Sequence, residues 1–256
     1  MPEMQTLAAK LRDGQFVVTA WSSLAVPIFA ELLGRSGYEA VTLDMQHGMH
    51  GIESVRDGFG AAALAGSHRI ARIPVGEFAT ASRLLDLGAE AVIAPMINSA
   101  AEAQHFADAM KYPPLGARSW GAHRTAMLSG LAPMDYRQSA DRDTLALAMV
   151  ETPEAVNAID DILAVDGIDG VFVGPADLSL TVSKGEELDP NSETVTAHLS
   201  EVVSKCRQAG KIASTLCVTP ERVHEVREMG YQLVAYGIDL LLIREAAAQA
   251  RKACDV

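Results

Sequence analysis

Short apolar runs alternate along the chain with longer stretches in which apolar residues recur every three or four positions. The runs cover residues 16–21, 40–44, 68–73, 91–94, 145–150, 171–173, 212–216 and 233–236. Most are rich in Val, Ile, Leu and Ala and end at Gly, Pro or a polar residue, the pattern of strands buried on both faces. Amphipathic stretches at 26–33, 52–65, 80–87, 101–110, 194–209, 221–229 and 240–252 predict the helices between them, with Gly34 and Gly88 at C-terminal stops. Strand–helix units joined by right-handed crossovers predict a closed parallel (β/α)8 TIM barrel. A doubly wound open sheet is the alternative, but no GxGxxG follows the first strand, which removes its usual dinucleotide reading. Residues 111–143, rich in Pro, Gly, Arg and Ser, predict a long irregular loop of the functional or mobile kind. No composition shift marks a linker, so a single domain is expected over 1–256.

Barrels of this kind carry their chemistry where the strands end. The first strand ends at Trp21-Ser22-Ser23, the second at Asp44 with His47 close behind, and the third near Arg72. Glu151 closes the fifth, Asp177 follows the Gly174-Pro175 turn after the sixth, and Leu216-Cys217 ends the seventh. The opposite rim, entered through Gly37-Tyr38-Glu39 or Gly210-Lys211, has ordinary turn chemistry.

Glu151 and Asp177 offer hard oxygen ligands suited to Mg²⁺ or Mn²⁺, an ion able to polarise a carbonyl. A glycosidase with paired carboxylates is a competing reading, but aromatic residues for sugar stacking make up only 5% of the chain. The bland alternative is that both acids are caps, Asp177 for the next helix. His47 is the best candidate base, because the short separation from Asp44 lets a carboxylate orient the imidazole. Arg72 suits a carboxylate or a developing enolate oxygen; its bland role is a buried ion pair with Asp86. His50, His68, His105, His198 and His224 are expected on the surface or on helices. His123, beside Arg118 and Arg124 in the long loop, either meets substrate or is solvated. No lysine ends a strand, which argues against a Schiff base.

A net charge of −12 provides no basic stripe for nucleic acid. No apolar run is long enough to span a bilayer. The amino terminus, Met1-Pro2-Glu3-Met4-Gln5, lacks the features of a secretory signal. Cys206, Cys217 and Cys254 have no CxxC spacing, which suggests reduced thiols, core packing and a cytoplasmic protein.

Seven segments in order carry a resemblance: Asp44-Met45-Gln46-His47-Gly48, Arg72-Ile73-Pro74, Leu84-Leu85-Asp86-Leu87-Gly88-Ala89, Ala94-Pro95-Met96, Tyr112-Pro113-Pro114-Leu115-Gly116-Ala117-Arg118-Ser119, Val150-Glu151-Thr152 and Val173-Gly174-Pro175-Ala176-Asp177-Leu178-Ser179. Together they resemble the HpcH/HpaI family of class II aldolases. The resemblance implies a (β/α)8 barrel assembled as a hexamer, a trimer of dimers, with exchanged C-terminal helices. It also implies a divalent ion (Mg²⁺ or Mn²⁺, with Co²⁺ as another) and reversible aldol chemistry between a pyruvate-like 2-oxo acid and an aldehyde. By position, Glu151 and Asp177 match metal ligands, and His47 with Asp44 matches a base dyad. Asp86 matches an acid supporting that histidine across a subunit contact, and Arg72 the arginine on the 2-oxo oxygen. Backbone amides around Ala176 and Asp177, in the turn with Gly174 and Pro175, match a carboxylate site; Trp21 and Leu216 line the same pocket. Many members have Glu where this chain has Gln46 and Gln where it has Met149, which removes a polar contact to the donor and admits hydroxypyruvate beside pyruvate. A lyase acting on acyl-CoA or citryl thioesters would share the metal pair but needs a basic phosphate site, which is not identified. A non-catalytic 2-oxo acid binder is the third reading.

Overall fold

Eight parallel strands pair in chain order and close on themselves, β1 beside β8, in a computed structural model that describes residues 5–254. The strands are β1 (Val17–Ser22), β2 (Ala40–Asp44), β3 (His68–Arg72), β4 (Ala91–Ala94), β5 (Leu145–Val150), β6 (Gly170–Val173), β7 (Ile212–Leu216) and β8 (Leu233–Ile238). The helices begin with α1 (Leu7–Arg12), α2 (Pro27–Arg35), α3 (Ile52–Leu64), α4 (Phe78–Leu87) and α5 (Ala100–Met110). Next come α6 (His123–Ser129), α7 (Pro133–Asp143), α8 (Pro153–Asn157) and α9 (Ile159–Leu163). The last four are α10 (Pro175–Val182), α11 (Glu193–Ala209), α12 (Pro220–Met229) and α13 (Asp239–Lys252).

Strand residues alternate between two cores, because successive side chains point to opposite faces and both faces are covered. Ala40, Ile70, Ile93, Leu147, Met149 and Phe172 fill the barrel, joined at its lower end by Leu7, Ala8 and Leu11 of α1. Val41, Ala71, Val92, Ala148, Val171 and Val234 face the helices. The same alternation sends Asp44, Arg72, Glu151 and Gly174, two residues beyond interior positions, toward the barrel mouth.

The lower end is tied by charge. Lys111, 1% exposed, donates to the carbonyls of Asp141 and Thr144 and to Asp169 Oδ2 at 2.7 Å, while Arg12 takes Asp169 Oδ1. These groups precede β5 and β6, at the face that serves stability.

Segment 111–143 is irregular only in part, over 111–122 and 130–132. It holds α6 and α7, because Pro133 starts α7 at its first turn and Gly130, at φ 69°, stops α6. Tyr136 and Ala140 are buried there despite the polar composition that hides a helical pattern. The short α1, α8, α9 and α10 also escape a pattern search, since one or two turns hold too few apolar repeats. Two histidines expected on the surface or on helices are instead buried: His68 in β3 against Glu90 at 3.0 Å, and His50 beside Ser22 at 3.1 Å. Among the described residues of α13 only Asp239 is buried, and Leu240, Leu241, Leu242 and Ile243 are exposed in succession.

Candidate active site

Asp44 and Arg72 are direct neighbours in the β2–β3 ladder and both turn inward, so the register makes them partners. Arg72 Nε donates to Asp44 Oδ1 at 2.8 Å and Nη2 to Oδ2 at 2.7 Å, a bidentate pair buried at the rim. The Trp21 indole donates to Asp44 Oδ2 at 3.3 Å, and the Arg72 guanidinium stacks 4.8 Å from the Trp21 ring centre. Burial alone would push the Asp44 carboxyl up. The hydrogen bond and charge of Arg72, with the Gln46 N–H and the indole, overcome it and hold Asp44 below the usual carboxylate range.

Two pairings differ from the sequence reading: the bland alternative of Arg72 with Asp86 and the expected dyad of Asp44 with His47. Arg72 meets Asp44 and not Asp86; Asp86 lies on α4 and accepts from Arg118 Nη2 at 2.8 Å. Asp44 reaches His47 only through the backbone, taking the N–H groups of Gln46 at 3.0 Å and His47 at 3.4 Å in an Asx-type turn. Arg72 and Trp21 have taken the carboxylate, and the His47 ring is exposed without a hydrogen bond among the described residues.

Across the mouth, Glu151 is 1% exposed. Its Oε1 accepts the Met96 N–H at 2.8 Å, with Met96 itself in the left-handed region at φ 57°. Such a backbone costs on the order of 1 kcal/mol for a non-glycine residue, so the acid is held at some expense. Glu151 Oε2 is buried and has no partner. Burial pushes the Glu151 carboxyl up to about 7; the Met96 N–H and Arg72 act against that, while the neighbouring Asp177 adds to it. Asp177 stands in the first turn of α10, which starts at Pro175, and is half-buried. Gly174 lies between these elements: a Cβ there would sit 2.4 Å from Glu151 Oε2 and 2.6 Å from Met149 Cε. Ala176 is exposed at the same turn, and Leu216 is half-buried against the interior core.

The donor set fits a hard divalent ion. An orphaned, buried carboxylate oxygen beside a second carboxylate is a pair of like charges that a cation would relieve. Among the described residues no three His, Cys, Asp or Glu side chains gather to hold an ion, so water and substrate oxygens would complete the shell. Cys217, near the mouth, is buried and its thiol is pushed up to about 12, which removes it as a nucleophile.

Sequence reasoning passed over Asp239, put His50 on the surface or a helix, and gave no role to Ser22 or Met96, seen only within Trp21-Ser22-Ser23 and Ala94-Pro95-Met96. Burial holds the His50 imidazole below its ordinary value against the pull of Asp239 and Asp44. The contacts of these four residues at the mouth come only from the three-dimensional neighbourhood of β1 and β5.

The fold and the acidic mouth are those of a (β/α)8 enzyme with its site at the C-terminal rim of the barrel. The family model described as HpcH/HpaI aldolase/citrate lyase matches residues 18–246. A hydroxypyruvate/pyruvate aldolase of Roseobacter denitrificans is 33% identical over 94% of this chain and 93% of its own. A 2-keto-3-deoxy-L-rhamnonate aldolase of Escherichia coli is 31% identical over 94% of this chain and 89% of its own. A solved HpcH/HpaI aldolase/citrate lyase family protein from Burkholderia cenocepacia superposes with a TM-score of 0.87 at 28% identity, covering 98% of this chain and 99% of that one. The chain belongs to the HpcH/HpaI aldolase/citrate lyase family and is a carbon–carbon lyase of the aldolase class.

Proposed function

We propose that this chain is a class II aldolase, dependent on a divalent metal, that joins or cleaves a 2-oxo acid (pyruvate or hydroxypyruvate) and an aldehyde. The observation that carries the reading is Glu151 Oε2, buried and unpaired beside Asp177. Glu151 and Asp177 would hold Mg²⁺ or Mn²⁺, with Co²⁺ as a further candidate. When bound, the ion would supply Lewis-acid polarisation of the donor carbonyl.

The remaining steps belong to the chain. Arg72 uses Nε and Nη2 on Asp44, which leaves the donors of Nη1 for the keto oxygen as negative charge develops there. Asp44 and Trp21 fix the plane of that guanidinium. The N–H groups at the start of α10, around Ala176 and Asp177, receive the substrate carboxylate in the turn made by Gly174 and Pro175. His47, exposed at the rim, moves the proton at the carbon next to the carbonyl, through a water. Asp86, tied to Arg118 on one oxygen, is the acid proposed to support that imidazole from a neighbouring subunit. Trp21 and Leu216 line the pocket with Met149, whose thioether lies beside Glu151 and gives the donor no polar contact.

Self-association as a hexamer, a trimer of dimers, belongs to the same proposal, supported by the exposed leucines of α13. Cytoplasmic residence is supported by three free cysteines. No helix among the described residues is long and apolar enough to cross a membrane. The test is solvent deuterium exchange at the methyl group of pyruvate. Stripping with EDTA should abolish exchange and Mg²⁺ or Mn²⁺ should restore it; full exchange by metal-free protein refutes the reading.

A further inference from the structure

Asp239 opens α13 and is 2% exposed. Its carboxylate accepts from four uncharged donors: Ser22 Oγ at 2.9 Å and the Leu24 N–H at 3.1 Å on Oδ2, the Ser23 N–H at 2.9 Å and the Leu240 N–H at 2.7 Å on Oδ1. Burying a carboxylate is costly, and an N-terminal helical acid needs only the donors of its own helix. Here three of the four belong to the exit of β1.

That exit lies at an irregular seam. The β1–β8 partners run in step from Val17–Leu233 to Thr19–Ala235, then shift so that Trp21 faces Ile238. Gly237, at φ 90°, absorbs the shift, and a Cβ there would lie 2.2 Å from the Tyr38 hydroxyl oxygen. Asp239 therefore supplies contacts just beyond the point where the ladder loses its register. Ser22 also meets His50 Nε2 at 3.1 Å, and His50 Nδ1 meets Ser54 Oγ at 3.2 Å, so the network extends to the start of α3. The residue before Ser22 is Trp21, which touches both Asp44 and Arg72.

We propose that Asp239 is a positioning residue of the active site: through Ser22 and the N–H groups of Ser23 and Leu24 it holds Trp21 where the indole braces Asp44 and Arg72. This rests on the assignment of Arg72 and Trp21 to the 2-oxo acid pocket. Asp239 itself touches no substrate. Replacing it with Asn turns one acceptor into a donor that faces either the Leu24 N–H or the Ser23 and Leu240 N–H groups, so the cap survives in part while the β1 exit is released.

The test uses a Trp120→Phe background, in which Trp21 is the remaining tryptophan of the two in the chain. Asp239→Asn and Ser22→Ala are introduced separately. Trp21 emission, the far-ultraviolet dichroism and melting midpoint, and kcat and KM for pyruvate deuterium exchange are measured. The expected result is a native dichroism spectrum, a shifted Trp21 emission, and kcat lower by about tenfold or more with a smaller change in KM, since a misplacement of about 1 Å costs up to ~10²-fold. Should Asp239→Asn fail to fold, Ser22→Ala carries the same comparison. A lowered melting midpoint with unchanged emission and unchanged kcat would make Asp239 a helix cap alone and overturn the proposal. If the parent protein shows no exchange, the aldolase reading fails, while the emission shift still decides whether Asp239 positions Trp21.

Discussion

Glu151 is the residue on which electrostatics and function conflict most. Its carboxyl, raised by burial to about 7, keeps its proton in the folded, metal-free protein at pH values where the unfolded chain has lost it. Folded protein then binds more protons than unfolded, so this group makes stability fall as pH rises from the ordinary carboxyl value of about 4.3 to the folded value. Above that window the penalty is complete, up to roughly 4 kcal/mol by linkage. Glu151→Gln should therefore raise the melting midpoint of metal-free protein at pH 8 and make little difference near pH 4.5; thermal unfolding at both values checks it. Arg72 and Asp44 are the opposite case, a buried pair whose partners are complete within the chain. That pairing was not legible from sequence, because it follows from the β2–β3 register, whereas Asp86 looked equally available. The positions of Glu151 and Asp177 were legible, since Glu151 follows a short buried run directly and Asp177 comes just past the Gly174-Pro175 turn that ends another.

At the level of elements, the turn from β6 into α10 sets the distance between the two acids. Gly174 has an ordinary extended backbone, φ −92° and ψ 93°, so alanine is permitted by conformation and excluded only by what its methyl would strike. Gly174→Ala should displace Glu151 and Met149, leave the dichroism spectrum unchanged and lower kcat by about tenfold or more. A variant with native kcat would mean the mouth has slack. Strands of this barrel were readable because both their faces are apolar. The helices of 111–143 were not: α7 is mostly polar and shows its identity only through Pro133 and the buried Tyr136 and Ala140. Asp239 was unreadable for another reason, since its donors at the β1 exit lie more than two hundred positions away in the chain.

For the molecule as a whole, the two ends of the barrel divide the work. The lower end is closed by α1 and by the Lys111, Asp169 and Arg12 ion pairs; the upper end keeps an unsatisfied carboxylate. Beyond Asp239 the last helix lies outside this division, with its leucines exposed. If a second copy covers them, the double variant Leu241→Glu and Ile243→Glu should reduce the mass found by light scattering, and an unchanged mass would place the interface elsewhere. The central claim, that two distant acids share one cation at the mouth, is tested most directly by titrating metal-free protein with Mn²⁺ and counting bound ions by electron paramagnetic resonance at pH 8. One ion per chain in the parent protein, lost in both Glu151→Gln and Asp177→Asn, is the predicted result. Equal binding in the parent and both variants would contradict it.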